Sequence, residues 1–69
     1  MVNDLIRIGE NMKRYRLQAN ITQKELANKI GVTNFWLSRL ENGKQNNTTI
    51  NLLIEISKQL NIDLNQLTK

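Results

Sequence analysis

The sequence predicts an all-α chain, five short helices folded as one domain over residues 1–69. Three observations lead there. Apolar residues recur at three- and four-residue spacing almost throughout. The breaks in that spacing fall at short polar or glycine-containing joints, and no proline occurs anywhere. Finally, 69 residues allow one small core and no second domain.

In the first helix Ile8, Met12 and Tyr15 follow an i, i+4, i+7 pattern after an N-cap at Asn3 or Asp4, with Arg7, Lys13 and Arg14 off the stripe. It is expected to run to residue 17 or 18. Thr22 with Glu25 three residues later forms the Thr-x-x-Glu capping box, so a second helix spans 23–30. Gly31 can adopt the left-handed conformation that ends a helix, and Thr33 can cap the next helix at once. That third helix spans 34 to about 41 and stops at Asn42-Gly43, ahead of a polar loop over 44–47. Thr48 or Thr49 caps a fourth helix, ending near Leu60, whose Ile50, Leu53, Ile54, Ser57 and Leu60 mark one face. Ile62 plugs the next joint, and Asp63 caps a last short helix carrying Leu64 and Leu67. Asn is frequent throughout.

Composition narrows the chemistry. With neither Cys nor His there is no disulfide framework and no conventional zinc site, so helix packing or oligomerisation must stabilise the small core. Catalysis is not expected, because nucleophilic Cys and general-base His are missing and the six carboxylates fall on different helices without a paired-acid spacing. No apolar run approaches the roughly 18 residues of a membrane span, and the N-terminus lacks a signal-peptide pattern, so a cytoplasmic chain is expected. The net charge of +4 sits in residues 1–44, with eight Lys/Arg against four Asp/Glu; the remainder holds two of each. A basic portion beside a neutral one suggests a polyanion on one side and a protein chain on the other.

The sharpest feature is residues 23–40. Two short helices joined by about three residues must cross at a large angle. Apolar residues stand at Leu26, Ile30, Val32, Leu37 and Leu40, the small Ala27 lies where the helices approach, and Gly31 makes the turn. This is the helix-turn-helix pattern. Together with Leu-Gln-Ala-Asn-Ile-Thr-Gln-Lys-Glu-Leu-Ala-Asn-Lys-Ile-Gly-Val-Thr (17–33) and Leu-Ser-Arg-Leu-Glu-Asn-Gly-Lys (37–44), it resembles the Cro/cI-type, or XRE, regulators with the lambda-repressor-like fold. The resemblance covers about residues 8–67, including a closing segment over 52–67. The loop after Gly43 departs from it by about one extra residue and the lack of a common proline. Phe35 and Trp36 stand where small polar residues are often found.

The resemblance implies a sequence-specific, double-stranded-DNA-binding transcriptional regulator. It would read a palindromic operator as a homodimer with the third helix in the major groove, needing no cofactor, metal or small-molecule substrate. Leu37 and Leu40 define that helix's buried side, which turns Asn34, Phe35, Ser38 and Arg39 outward. Base contacts are expected from Thr33, Asn34, Phe35, Ser38 and Arg39, with Arg39 bidentate to guanine and Asn34 to adenine. Phe35 offers apolar contact either to thymine methyl groups or to a protein, and Trp36 is expected at the core edge. Backbone phosphates would meet Gln23 at the start of the second helix, with Asn42, Lys44, Asn46 and Asn47. Arg16 and Glu41 occupy positions where the resemblance implies a structural ion pair. A two-fold interface is expected from Ile62, Leu64 and Leu67 with the outward edge of the fourth helix, although some of these leucines must close the monomer core. The alternative is a protein-interaction module, an antitoxin or co-regulator, docking through the Phe35 and Trp36 surface.

Overall fold

The computed structural model describes residues 2–45 and 47–69, with side chains from Asp4 onward. Among these residues are five helices and no strand: α1 (Val2–Gln18), α2 (Gln23–Ile30), α3 (Asn34–Glu41), α4 (Ile50–Leu60) and α5 (Leu64–Thr68). The first helix starts earlier than the expected cap at Asn3 or Asp4. Asp4 lies inside its first turn, where a carboxylate complements the helix dipole.

Helix α1 packs against α3, α5 and α4, while α2 packs against α3 and α4. Met12, Leu26, Ala27, Leu37, Leu40, Ile56 and Leu67 are fully or almost fully buried at the centre, with Ile8, Ile30, Leu53 and Leu60 around them. One expectation changes. Along α4 the inward residues are Leu53, Ile56, Ser57 and Leu60, whereas Ile50 is 57% and Ile54 36% exposed. The apolar residues of α4 occupy more than one side of the helix, so periodicity alone did not single out the face that α2 would cover. Leu67, named with Ile62 and Leu64 for the interface between chains, is one of the leucines that close the monomer core, being fully buried.

The helix ends are built from local signals. Thr22 Oγ1 accepts from the Glu25 N–H at 3.0 Å and the Thr22 N–H donates to Glu25 Oε1 at 2.8 Å. The backbone bond from Thr22, then its hydroxyl, holds the Glu25 carboxyl below the usual carboxylate range, with Lys29 assisting. Thr33 caps α3 through the Trp36 N–H at 3.0 Å, and Thr49, rather than Thr48, caps α4 through the Leu52 N–H at 3.1 Å.

At their C-terminal ends α1 to α4 share one closure, a left-handed residue followed by an N–H that reaches five residues back. The left-handed residues are Asn20, Gly31, Gly43 and Asn61. The bonds run from Ile21 N to Arg16 O, Val32 N to Ala27 O, Lys44 N to Arg39 O and Ile62 N to Ser57 O, at 2.9–3.1 Å. Part of the Asn abundance thus has a backbone cause, since Asn enters that conformation more readily than other non-glycine residues.

Two residues of α1 that periodicity did not single out control its packing. A Cβ placed on Gly9 would run into the Leu40 carbonyl oxygen, so the absence of a side chain lets α1 lie directly on the end of α3. Asn11 is buried and its Nδ2 donates to the Leu67 carbonyl at 2.9 Å, tying α1 to α5.

One ionic cluster orients α3. Arg16 Nε donates to Glu41 Oε2 at 2.6 Å and Nη2 to Glu41 Oε1 at 3.0 Å, while Nη1 donates to the Ile21 carbonyl at 2.9 Å. Gln23 Nε2 also donates to Glu41 Oε1, at 3.1 Å. Arg16 is 7% and Glu41 4% exposed, so this two-toothed contact is shielded from water.

Gly9→Ala should cost about 3 kcal/mol, because the methyl meets backbone that cannot step aside. Gly31→Ala, with open space around the added methyl, should cost only about 1 kcal/mol of backbone strain. Urea unfolding of the pair checks the order; equal losses would contradict the packing described. Glu41→Ala should cost about 3–5 kcal/mol by stranding the Arg16 charge. Its thermal midpoint should fall sharply, and an unchanged midpoint would rule out a structural role for the pair.

Candidate nucleic-acid interface

Three residues separate α2 from α3, the left-handed Gly31 (φ 77°), the half-buried Val32 and the N-cap Thr33. Leu37, Leu40 and Glu41 turn inward. Outward, Thr33, Asn34 and Phe35 are exposed at the N-terminal end, and Ser38 and Arg39 are half-buried one turn later. The corner and the face therefore lie as the spacing predicts. Phe35 is 72% exposed, an unusual position for an aromatic ring, whereas Trp36 packs against the core edge. The aromatic patch expected of both residues thus reduces largely to Phe35.

Several polar side chains of this face are engaged within the chain. The Thr33 hydroxyl serves as the α3 cap. Asn42 Nδ2 donates to Ser38 Oγ at 3.3 Å. Arg39 Nε donates to Gln45 Oε1 at 3.1 Å and its Nη2 to the Lys44 carbonyl at 2.5 Å, with the guanidinium carbon 6.0 Å from the centre of the Phe35 ring. The edge of the guanidinium that carries Nε therefore faces the following loop rather than projecting from α3. Gln23 is half-buried and its amide nitrogen belongs to the Glu41 cluster, so its first role in this structure is to join α2 to α3.

The side chains of Asn42, Lys44 and Asn47 are exposed along the loop, and Asn46 lies outside the described residues. These exposed side chains, like the first-turn N–H groups of α2 other than that of Glu25, are donors suited to anionic oxygens. Ile62 and Leu64 are half-buried against the core, and Ile50 and Ile54 of α4 are exposed. Sequence reasoning missed the Arg39 to Gln45 contact, since Gln45 carries no signal of its own. The Gly9 contact was hidden in the same way, because a glycine in mid-helix reads as a weak helix former until its neighbour is known.

Known proteins give an independent comparison. The helix-turn-helix family profile matches residues 12–67. The HTH-type transcriptional regulator SinR of Bacillus subtilis is 35% identical over 60 residues, covering 87% of this chain and 54% of SinR; SinR of Bacillus licheniformis matches equally. The chain thus spans about half the length of the curated relatives it matches. A crystal structure of SinR in complex with DNA superposes with a TM-score of 0.82 at 34% identity, covering 90% of this chain and 98% of that one. The restriction-modification controller protein C.AhdI from Aeromonas hydrophila shares the fold, with a TM-score of 0.84 at 22% identity over 94% of this chain and 97% of its own. Helix order, the Gly31 corner and the profile match agree: the chain belongs to the helix-turn-helix family of the XRE, or Cro/cI, type and has its five-helix lambda-repressor-like fold.

Proposed function

We propose that this chain is a sequence-specific, double-stranded-DNA-binding regulator of transcription, acting in the cytoplasm by binding rather than catalysis. It lays α3 in the major groove and engages two half-sites as a homodimer. One observation carries the reading: α3 is a separate rod beyond the Gly31 corner, its inward side anchored by Leu37, Leu40 and Glu41 and its N-terminal outward side left to solvent. The likeness to a regulator solved on DNA supports it, as does the gathering of the positive charge into residues 1–44.

In this reading Thr33, Asn34, Phe35 and Ser38 approach base edges. Asn34 has the donor and acceptor pair that fits adenine, and the Phe35 ring fits the 5-methyl group of thymine. Asn42, Lys44 and Asn47 meet phosphates on one side of the groove and the α2 N-terminus with Gln23 on the other, fixing register without reading sequence. A single α3 covers only a few base pairs, so two chains about 34 Å apart read one site. The surface offered for pairing is the exposed Ile50 and Ile54 of α4 with the half-buried Ile62 and Leu64.

Selection of duplexes from a random pool, followed by fluorescence anisotropy, tests this directly. Affinity for the selected duplex should fall steeply between low and moderate salt, and sedimentation should find two chains per duplex. Replacing the contacted thymine by deoxyuracil removes only a methyl group; it should weaken wild-type binding about fourfold and leave Phe35→Ala indifferent. Absence of any selected duplex, or affinity that ignores salt, would overturn the reading in favour of a protein partner for Phe35.

A further inference from the structure

Lys44 and Gln45, which follow the turn after α3, lie in neither helix nor strand, in a chain with no proline to stiffen it. They are nonetheless tied to α3 from both sides. The Lys44 N–H donates to the Arg39 carbonyl at 2.9 Å across the left-handed Gly43, and the Arg39 guanidinium returns to the Lys44 carbonyl at 2.5 Å. A further bond joins Arg39 Nε to Gln45 Oε1 at 3.1 Å. The flat cation thus spans the ground between the loop and the Phe35 ring, 6.0 Å from its centre. Lys44 has its backbone fixed by these bonds while its ammonium group stays exposed.

We propose that Arg39 is a positioning residue: it clasps the loop after α3 so that Lys44 is presented to the phosphate backbone and Phe35 is held at the front of the helix, and it does not itself read a base. This rests on the DNA-binding reading above and replaces the guanine contact that its place on α3 suggests. A guanidinium is well suited to the task, because its planar fork satisfies two acceptors at once with little loss of side-chain freedom. The clasp acts before binding, lowering the ordering cost that a free loop would add on the duplex.

The test uses the selected duplex and all its single-base-pair variants with wild-type chain, Arg39→Ala, Gln45→Leu and the double variant. Arg39→Ala should weaken binding about tenfold by a similar factor on every duplex, and the slope of log affinity against log salt should flatten by about one as the Lys44 contact is lost. Gln45→Leu, which leaves α3 intact and covers the case of an unfolded Arg39→Ala, should show part of the same uniform loss. The double variant should be no weaker than Arg39→Ala alone. Selective loss of discrimination at one G·C pair with the salt slope unchanged would assign Arg39 to guanine and overturn the proposal. Wild-type affinity in both single variants would overturn it equally. Failure of the wild-type chain to select any duplex is a different result and removes the DNA-binding reading itself.

Discussion

The pose of α3 depends on a carboxylate at its last residue. Glu41 gathers Arg16 from α1 and Gln23 from the start of α2 onto two oxygens, and the same guanidinium holds the Ile21 carbonyl in the joint between those helices. Three helices and a turn therefore meet at one buried charge pair. Such a pair adds little net stability over an apolar packing of equal volume, since both ions lose their hydration. What it contributes is direction: the fork has one good orientation on the carboxylate, whereas apolar contacts between Leu26, Leu37 and Leu40 tolerate rotation.

Close backbone contact makes that geometry available. Without a side chain at Gly9, α1 reaches the end of α3, which brings the stem of Arg16 within range of Glu41 two turns further along. At the other side Asn11 draws in the α5 carbonyl of Leu67, and Leu67 seals the core that α1, α3 and α4 leave open. A chain of this length with no disulfide has few ways to enlarge its core. Repeated left-handed closures at Asn20, Gly31, Gly43 and Asn61 satisfy carbonyls that would otherwise need water or longer connections.

The outer face of α3 is ordered in its turn. Thr33, Ser38 and Arg39 each hold an intramolecular bond, so their geometry is set before any partner arrives. Asn34 and Phe35 stand exposed ahead of them. In the proposed function this divides the labour between a preorganised frame and a small leading edge whose chemistry, one carboxamide and one aromatic ring, is compact enough for a groove.

Local patterns in the sequence determined the existence, order and near-boundaries of the helices, the Thr22 capping box, the Gly31 corner and the inward side of α3, because caps and 3.6-residue periodicity act over a few residues. The shared motif, not periodicity, pointed to Arg16 and Glu41. Tertiary structure alone decided which side of α4 was buried, that Leu67 would lie deeper in the core than Ile62 and Leu64, that Gly9 marked a helix crossing, and that Arg39 would turn toward Gln45. Each of those outcomes depends on which surface another helix or loop brings near, and an amphipathic pattern records that a face is apolar without recording what will cover it.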